Sequence, residues 1–263
     1  MKPQGIILSI VSFFLVASTP VNANEYTVTP RVWFSSYTIS EQENDSAAVC
    51  NDLQMLLYGM TVAMKPDIFR STDVLLSLYG GSGDAQALEA DPPWSTEQRQ
   101  DLDRVDIELF VRHHIGSEKI WYFGWGGRYI MVDSTRDTSM GDEEYYSDEA
   151  AEPYLWKSEQ RILLGEVGIG FSKAISDNAE HILFGNCLAG FGREESKFKN
   201  PHSSYSGSTS DTETIFSADI NIGYMYQFSK QFSGNIRWRN FIIKSDIREV
   251  DIWGPEIGIA IHF

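Results

Sequence analysis

Arg237 and Arg239 stand two residues apart in "GNIRWRN", and Asp106, Glu108, Arg112 and His114 take the even positions of "VDIELFVRHH". Residues two apart on an extended strand share a face, so each run lines one side of a sheet with ionisable groups. Asp73, Arg128, Glu166, Asp219, Asn221 and Glu256 hold the same kind of position in other stretches, each opposite an apolar face. Side chains of this type do one of three things. They pair into a buried ion network, they line a water-filled passage that selects solutes by charge, or they act as acids and bases. The third needs a nucleophile within reach of a base, and no such pair stands at a readable spacing, so no catalytic residue is assigned. Arg237 and Arg239 are expected to meet Asp219 and Glu256 on the neighbouring strands. The full expected network is Asp106, Glu108, Arg112, Arg128, Glu166, Asp219, Arg237, Arg239 and Glu256.

The elements that must position these groups are strands. Ten segments alternate with period two: 25–38, 54–65, 68–80, 102–115, 120–132, 158–172, 181–192, 214–228, 232–244 and one from about 251. Trp121, Phe123, Trp125, Tyr129 and Met131 fall on one face of the fifth, and Phe216, Ile220, Ile222, Tyr224, Tyr226 and Phe228 on one face of the eighth. Short connections ("PD", "GSEK", "KAISDNAE", "SKQ") alternate with longer ones at 39–53, 81–101, 133–157, 193–213 and 245–250. An even strand count with short turns at one end and long loops at the other is the layout of a transmembrane antiparallel up-and-down β-barrel. A soluble sandwich fits less well, because these strands are longer than the usual 5 or 6 residues and carry aromatics near the ends of their apolar faces. The fold class is therefore all-β, a barrel of about 10 strands, with 8 or 12 as alternatives because the seventh and tenth segments are the weakest. Pro30 and Pro255 are awkward in a wall that has no edge. Pro255 with Gly254 reads as a bulge or a late strand start, and Pro30 as a residue near the periplasmic rim.

At the N-terminus, Lys2, the run "IILSIVSFFLVA" and the small residues Val21 and Ala23 give the n/h/c pattern of a secretory signal peptide. Residues 1–23 are expected to be that signal, and 24–263 one barrel domain. Net charge is −16 and mean hydropathy −0.25, with 13% aromatic residues. A chain this acidic does not invite nucleic acid. Much of the negative charge lies in "EQEND", "DAQALEADPPWSTEQRQD" and "GDEEYYSDEAAE", all in expected outer loops, together with Trp94, Tyr145 and Tyr146. These stretches lack EF-hand spacing; no metal and no cofactor is assigned. Cys50 and Cys187 lie in a polar stretch and an apolar run, which favours two free thiols over a bridge.

The last eight residues, "EIGIAIHF", resemble the C-terminal assembly signal of bacterial outer-membrane β-barrels: Glu256 is the polar residue, Gly258 the glycine, Ile261 the apolar residue and Phe263 the terminal aromatic. The resemblance implies location in the cell outer membrane, recognition by the barrel-assembly machinery, and contact with outer-membrane lipid and lipopolysaccharide. It covers only these residues and names no functional family. Ten strands also resemble the omptin surface proteases, but the acidic and Asp-x-His pattern of that family has no match on an upper strand end, and the His113–His114 pair falls at the opposite end. Lipid A deacylases and outer-membrane phospholipases use a lipid-facing His–Ser pair; His113 faces that way without a serine motif. The expected function is a non-enzymatic outer-membrane barrel, structural or interacting through acidic outer loops. A narrow channel for ions or small solutes is the alternative, and a membrane-embedded hydrolase the weaker one.

Overall fold

The computed structural model describes residues 23–43, 46–66, 71–91, 94–141, 154–199, 209–246 and 248–263. The expected signal segment lies outside them, apart from Ala23. Ten strands run in chain order: β1 (Ala23–Glu43), β2 (Ser46–Pro66), β3 (Thr72–Asp91), β4 (Trp94–Ile115), β5 (Trp121–Gly141), β6 (Tyr154–Ala174), β7 (His181–Lys199), β8 (Thr209–Gln227), β9 (Phe232–Lys244) and β10 (Arg248–His262). Each pairs antiparallel with its sequence neighbours, and β1 pairs with β10 to close the barrel. The count is ten, as the alternation suggests.

Most of the expected long loops are wall instead. β3 and β4 pair from Asp91↔Trp94 downward, and β5 and β6 pair as far as Thr138↔Tyr154. The strands therefore reach 19–22 residues in β1 to β8. Runs such as "WSTEQRQD" and "DSTRDTSMG" in these extensions are polar in sequence, so no hydrophobic period marks them as strand. The expected long connection at 245–250 is a tight turn, in which the Ser245 hydroxyl accepts the Arg248 N–H at 3.1 Å. The acidic stretches at 41–45 and 141–152, with Tyr145 and Tyr146, fall largely outside the described residues.

The other end is closed by short turns. Gly116 (φ 77°) and Lys119 (φ 52°) turn β4 into β5. In the β8–β9 turn, the Ser229 hydroxyl accepts the N–H groups of Gln231 and Phe232. The "PD" turn lies at the edge of the described residues.

The outward face is apolar over a band about ten residues tall. Leu163, Phe191, Phe216, Ile222 and Ile259 are all more than half exposed there. Aromatic pairs flank the band, with Trp121 against Phe171 near the short turns and Phe191 edge-on to Phe216 near the hairpins. A closed wall of paired strands with such a belt is built to span a bilayer.

The seam between β1 and β10 departs from this regularity. Tyr26 and Phe263 exchange backbone hydrogen bonds across it. Following the same register inward, Pro30 comes opposite Ile259 and Pro255 opposite Phe34, and pairing is interrupted at both places. Both prolines pair normally on their other sides, with Met60 and Trp238. Pro30 thus sits inside the wall rather than at its rim, and Pro255 within an established strand rather than at a late start. The two missing N–H groups both fall on the closing seam.

Candidate functional site

The inward face is layered along the barrel axis. On β5, Arg128 is followed two and four residues on by Ile130 and Val132; on β9, Arg239 is followed by Phe241 and Ile243; on β6, Glu166 gives way to Leu164 and Ile162 toward the hairpins. All these side chains are buried. The layer nearer the hairpins is one apolar cluster that includes Trp33, Tyr37, Leu53, Leu57, Ile215 and Ile252. Toward the short turns lies an ionic layer, and beyond it a cavity of about 800 Å3 that opens at the short-turn end.

The ionic layer is continuous. Glu256 on β10 accepts from Arg31 Nη1 on β1 and from Arg237 Nη2 on β9, both at 2.7 Å, with Arg239 at 4.0 Å. Arg239 also donates to Asp219, which accepts from Arg128 Nη2 at 2.7 Å. Arg128 belongs to β5 and Asp219 to β8, so this link crosses the lumen. Glu108 and Glu166 stand 3.4 Å and 3.5 Å from the same guanidinium. The Tyr79 hydroxyl accepts from Arg237 at 3.1 Å and lies 3.5 Å from Glu256. Charges withdrawn from water are stable only when paired in this way.

Aromatic faces join the ionic layer to the apolar one. Arg128 lies over the Phe241 ring at 4.3 Å and Arg104 at 5.6 Å. Arg239 lies over Trp33 at 4.8 Å. Each ring is apolar toward the plug and offers its negative face to a guanidinium.

No protein-family model matches the chain, and no curated protein matches it. Among solved structures, the outer membrane protease OmpT from Escherichia coli matches over 94% of this chain and 99% of its own, with TM-score 0.58 and 10% identity. The translocator domain of the autotransporter NalP from Neisseria meningitidis matches over 99% and 95%, with TM-score 0.55 and 12% identity. The fold is that of the bacterial outer-membrane β-barrels. At such identities the likeness concerns the fold alone.

In this barrel the sequence-derived residues are placed as follows. Arg237, Arg239, Asp219, Glu256, Arg128, Glu108 and Glu166 are brought together in the ionic layer. Asp106 stands apart, in a two-point pair with Arg104 at 2.7 Å for each contact. Arg112 is not joined to the network. It faces Asp73 in register, but Asp73 takes His114 Nε2 at 2.8 Å, and Arg112 lies over the Tyr122 ring at 5.1 Å. Gly258, Ile261 and Phe263 of the C-terminal pattern lie on β10 and at its end, with Phe263 strongly exposed at the rim.

The sequence reading missed Arg31, Arg104, Tyr79 and the apolar plug. Arg104 shares a face with Asp106, two residues on, which is a usable signal. Arg31 sits in "TPRVWF", where apolar side chains point both ways and the period gives no facing. Glu194 and Arg248, paired at 2.7 Å near the hairpin end, were missed because 193–213 and 245–250 read as connections rather than as strand.

Among the described residues the histidines are occupied. His113 engages Thr72 Oγ1 at 3.0 Å and accepts the Trp125 indole N–H at 3.2 Å. His114 spans Asp73 and the Lys119 carbonyl. His262 contacts Ser233 Oγ at 3.0 Å, but that serine is fully buried. Cys187 is a free thiol on the outward face.

Proposed function

We propose that this outer-membrane barrel is a non-enzymatic, non-conducting support that holds long paired hairpins above the membrane for contact at the cell surface. The observation that carries this reading is the stacking of two closures in one lumen. An ion network tied across the barrel lies beneath an apolar layer whose largest members are inaccessible to solvent. Ion passage needs a continuous wet path, and the apolar layer interrupts it. The occupied histidines among the described residues and the burial of Ser233 support the non-enzymatic half of the reading.

In planar bilayers the purified barrel is expected to give no stable conductance steps. A variant thinned in the plug, Leu57→Ala with Ile162→Ala and Ile252→Ala, is expected to give transient openings. Regular steps from the unaltered protein would sink the non-conducting reading in favour of a channel.

Recognition of the C-terminal strand by the assembly machinery is part of the same reading. Removing Phe263 is expected to leave the exported chain unassembled in the periplasm, measured as loss of the folded protein from the outer-membrane fraction. Assembly at normal levels would remove that role from the terminal aromatic.

A further inference from the structure

We propose that the outward face of β6 and β7, immediately beyond the apolar band on the hairpin side, binds the phosphate groups of the outer-leaflet glycolipid. Going outward along β6, Ile169, Val167 and Leu163 are followed on the same face by Arg161, Glu159 and Lys157; along β7, Phe191 is followed by Arg193, Glu195, Lys197 and Lys199. These two strands are paired, with Leu163 opposite Arg193, Arg161 opposite Glu195 and Lys157 opposite Lys199. Five cations against two carboxylates are thus gathered on one patch of a chain whose net charge is −16.

The neighbouring rim has the opposite sign. Asp84 on β3, Asp101 and Asp103 on β4, and Asp133 on β5 are exposed at the same end. The basic patch is therefore local, and Asp133 marks its flank.

Within the patch the charges are poorly matched by protein. Lys199 reaches Glu159 at 3.5 Å, while among the described residues Lys157, Arg161, Arg193 and Lys197 form no ion pair. Lys157 directly opposes Lys199, an arrangement that costs stability unless an anion lies between. Arg161 and Arg193 are diagonal neighbours across the strand pair, about 7–8 Å apart at the backbone, a span that two guanidinium arms close around one phosphate.

Height selects the partner. Leu163 and the Phe191–Phe216 pair stand directly beneath, so a phosphate held by Arg161 and Arg193 carries its acyl chains down the apolar wall. A soluble anion would gain nothing from that contact; a membrane lipid does.

The proposal rests on the seating in the outer membrane described above, and its test is separate from conductance. The whole barrel, folded in an uncharged detergent, is titrated with lipopolysaccharide, and bound lipid is counted by native mass spectrometry. Saturable binding is expected. Arg161→Gln with Arg193→Gln is expected to weaken it at least tenfold, whereas Lys65→Gln with Lys230→Gln, at the opposite end, leaves it unchanged. Enzymatically dephosphorylated lipopolysaccharide is expected to bind the unaltered barrel as weakly as the intact lipid binds the double arginine variant. Millimolar inorganic phosphate is expected not to displace the lipid. Equal binding by the arginine variant, equal binding of the dephosphorylated lipid, or displacement by free phosphate would each overturn the proposal. All the substituted side chains are exposed or paired only at the surface, so folding is retained.

Discussion

Glu256→Gln is expected to destabilise the folded barrel by about 3–5 kcal/mol, the range for stranding buried charge. The carboxylate is fully buried and neutralises Arg31 and Arg237 directly, with Arg239 at the limit of contact. Glutamine keeps the shape and removes the charge, leaving Arg31 and Arg237 without their carboxylate and Arg239 with Asp219. The effect has a second part. Arg31 is on β1 and Glu256 on β10, so their ion pair spans the seam at which Pro30 and Pro255 each remove a backbone hydrogen bond. Urea unfolding in detergent, followed by tryptophan fluorescence, measures the loss. A shift below 1 kcal/mol would mean that the ionic layer is wetter than its burial indicates. Combining Glu256→Gln with Arg31→Gln is expected to recover part of the loss, because one stranded cation goes with it.

Gly254→Ala is expected to prevent closure. Gly254 holds φ at 152°, which side-chain-bearing residues rarely adopt, and a Cβ there would stand 1.9 Å from the Phe34 carbonyl oxygen across the seam. Backbone strain of this kind alone costs about 1–3 kcal/mol, and the overlap adds to it unless the strands part. Refolding yield into detergent is the measurement, with Gly165→Ala as the comparison, since a Cβ there meets only the Phe191 carbonyl at 3.9 Å. Equal yields for the two variants would show that the seam adapts.

The outer wall was legible in the sequence because lipid imposes one rule on it. Ile107, Leu109, Phe123, Ile220 and Ile259 all face outward, and each keeps the period of two. The inner wall obeys no single rule. Near the short turns it is polar and the alternation is plain, so Glu108, Arg128, Asp219 and Glu256 could be placed on it. Nearer the hairpins it becomes apolar while the outside remains so, and "QMLLYGM" or "NFIIK" no longer shows which residues face in. The plug is hidden by that loss of contrast, and Arg31 with it. The opposite case, polar runs such as "DSTRDTSMG" with no hydrophobic period, made much of the hairpin arms read as loops. The seam was beyond reach for another reason: two prolines 225 positions apart become neighbours only when the chain ends meet.

The apolar plug also bears on the time before the barrel exists. Met55–Leu57, Ile130–Val132, Ile162–Leu164 and Phe241–Ile243 are sealed on one side by the lumen and on the other by lipid only after closure. Until then each is a short, proline-free stretch, apolar on both faces, of the kind that stacks with copies of itself. The unclosed chain is thus a sticky one, and the interval between export and insertion is its most hazardous stage. Yield in the cell will follow how briefly those segments stay bare and how well a carrier shields them, more than how firmly the finished wall holds.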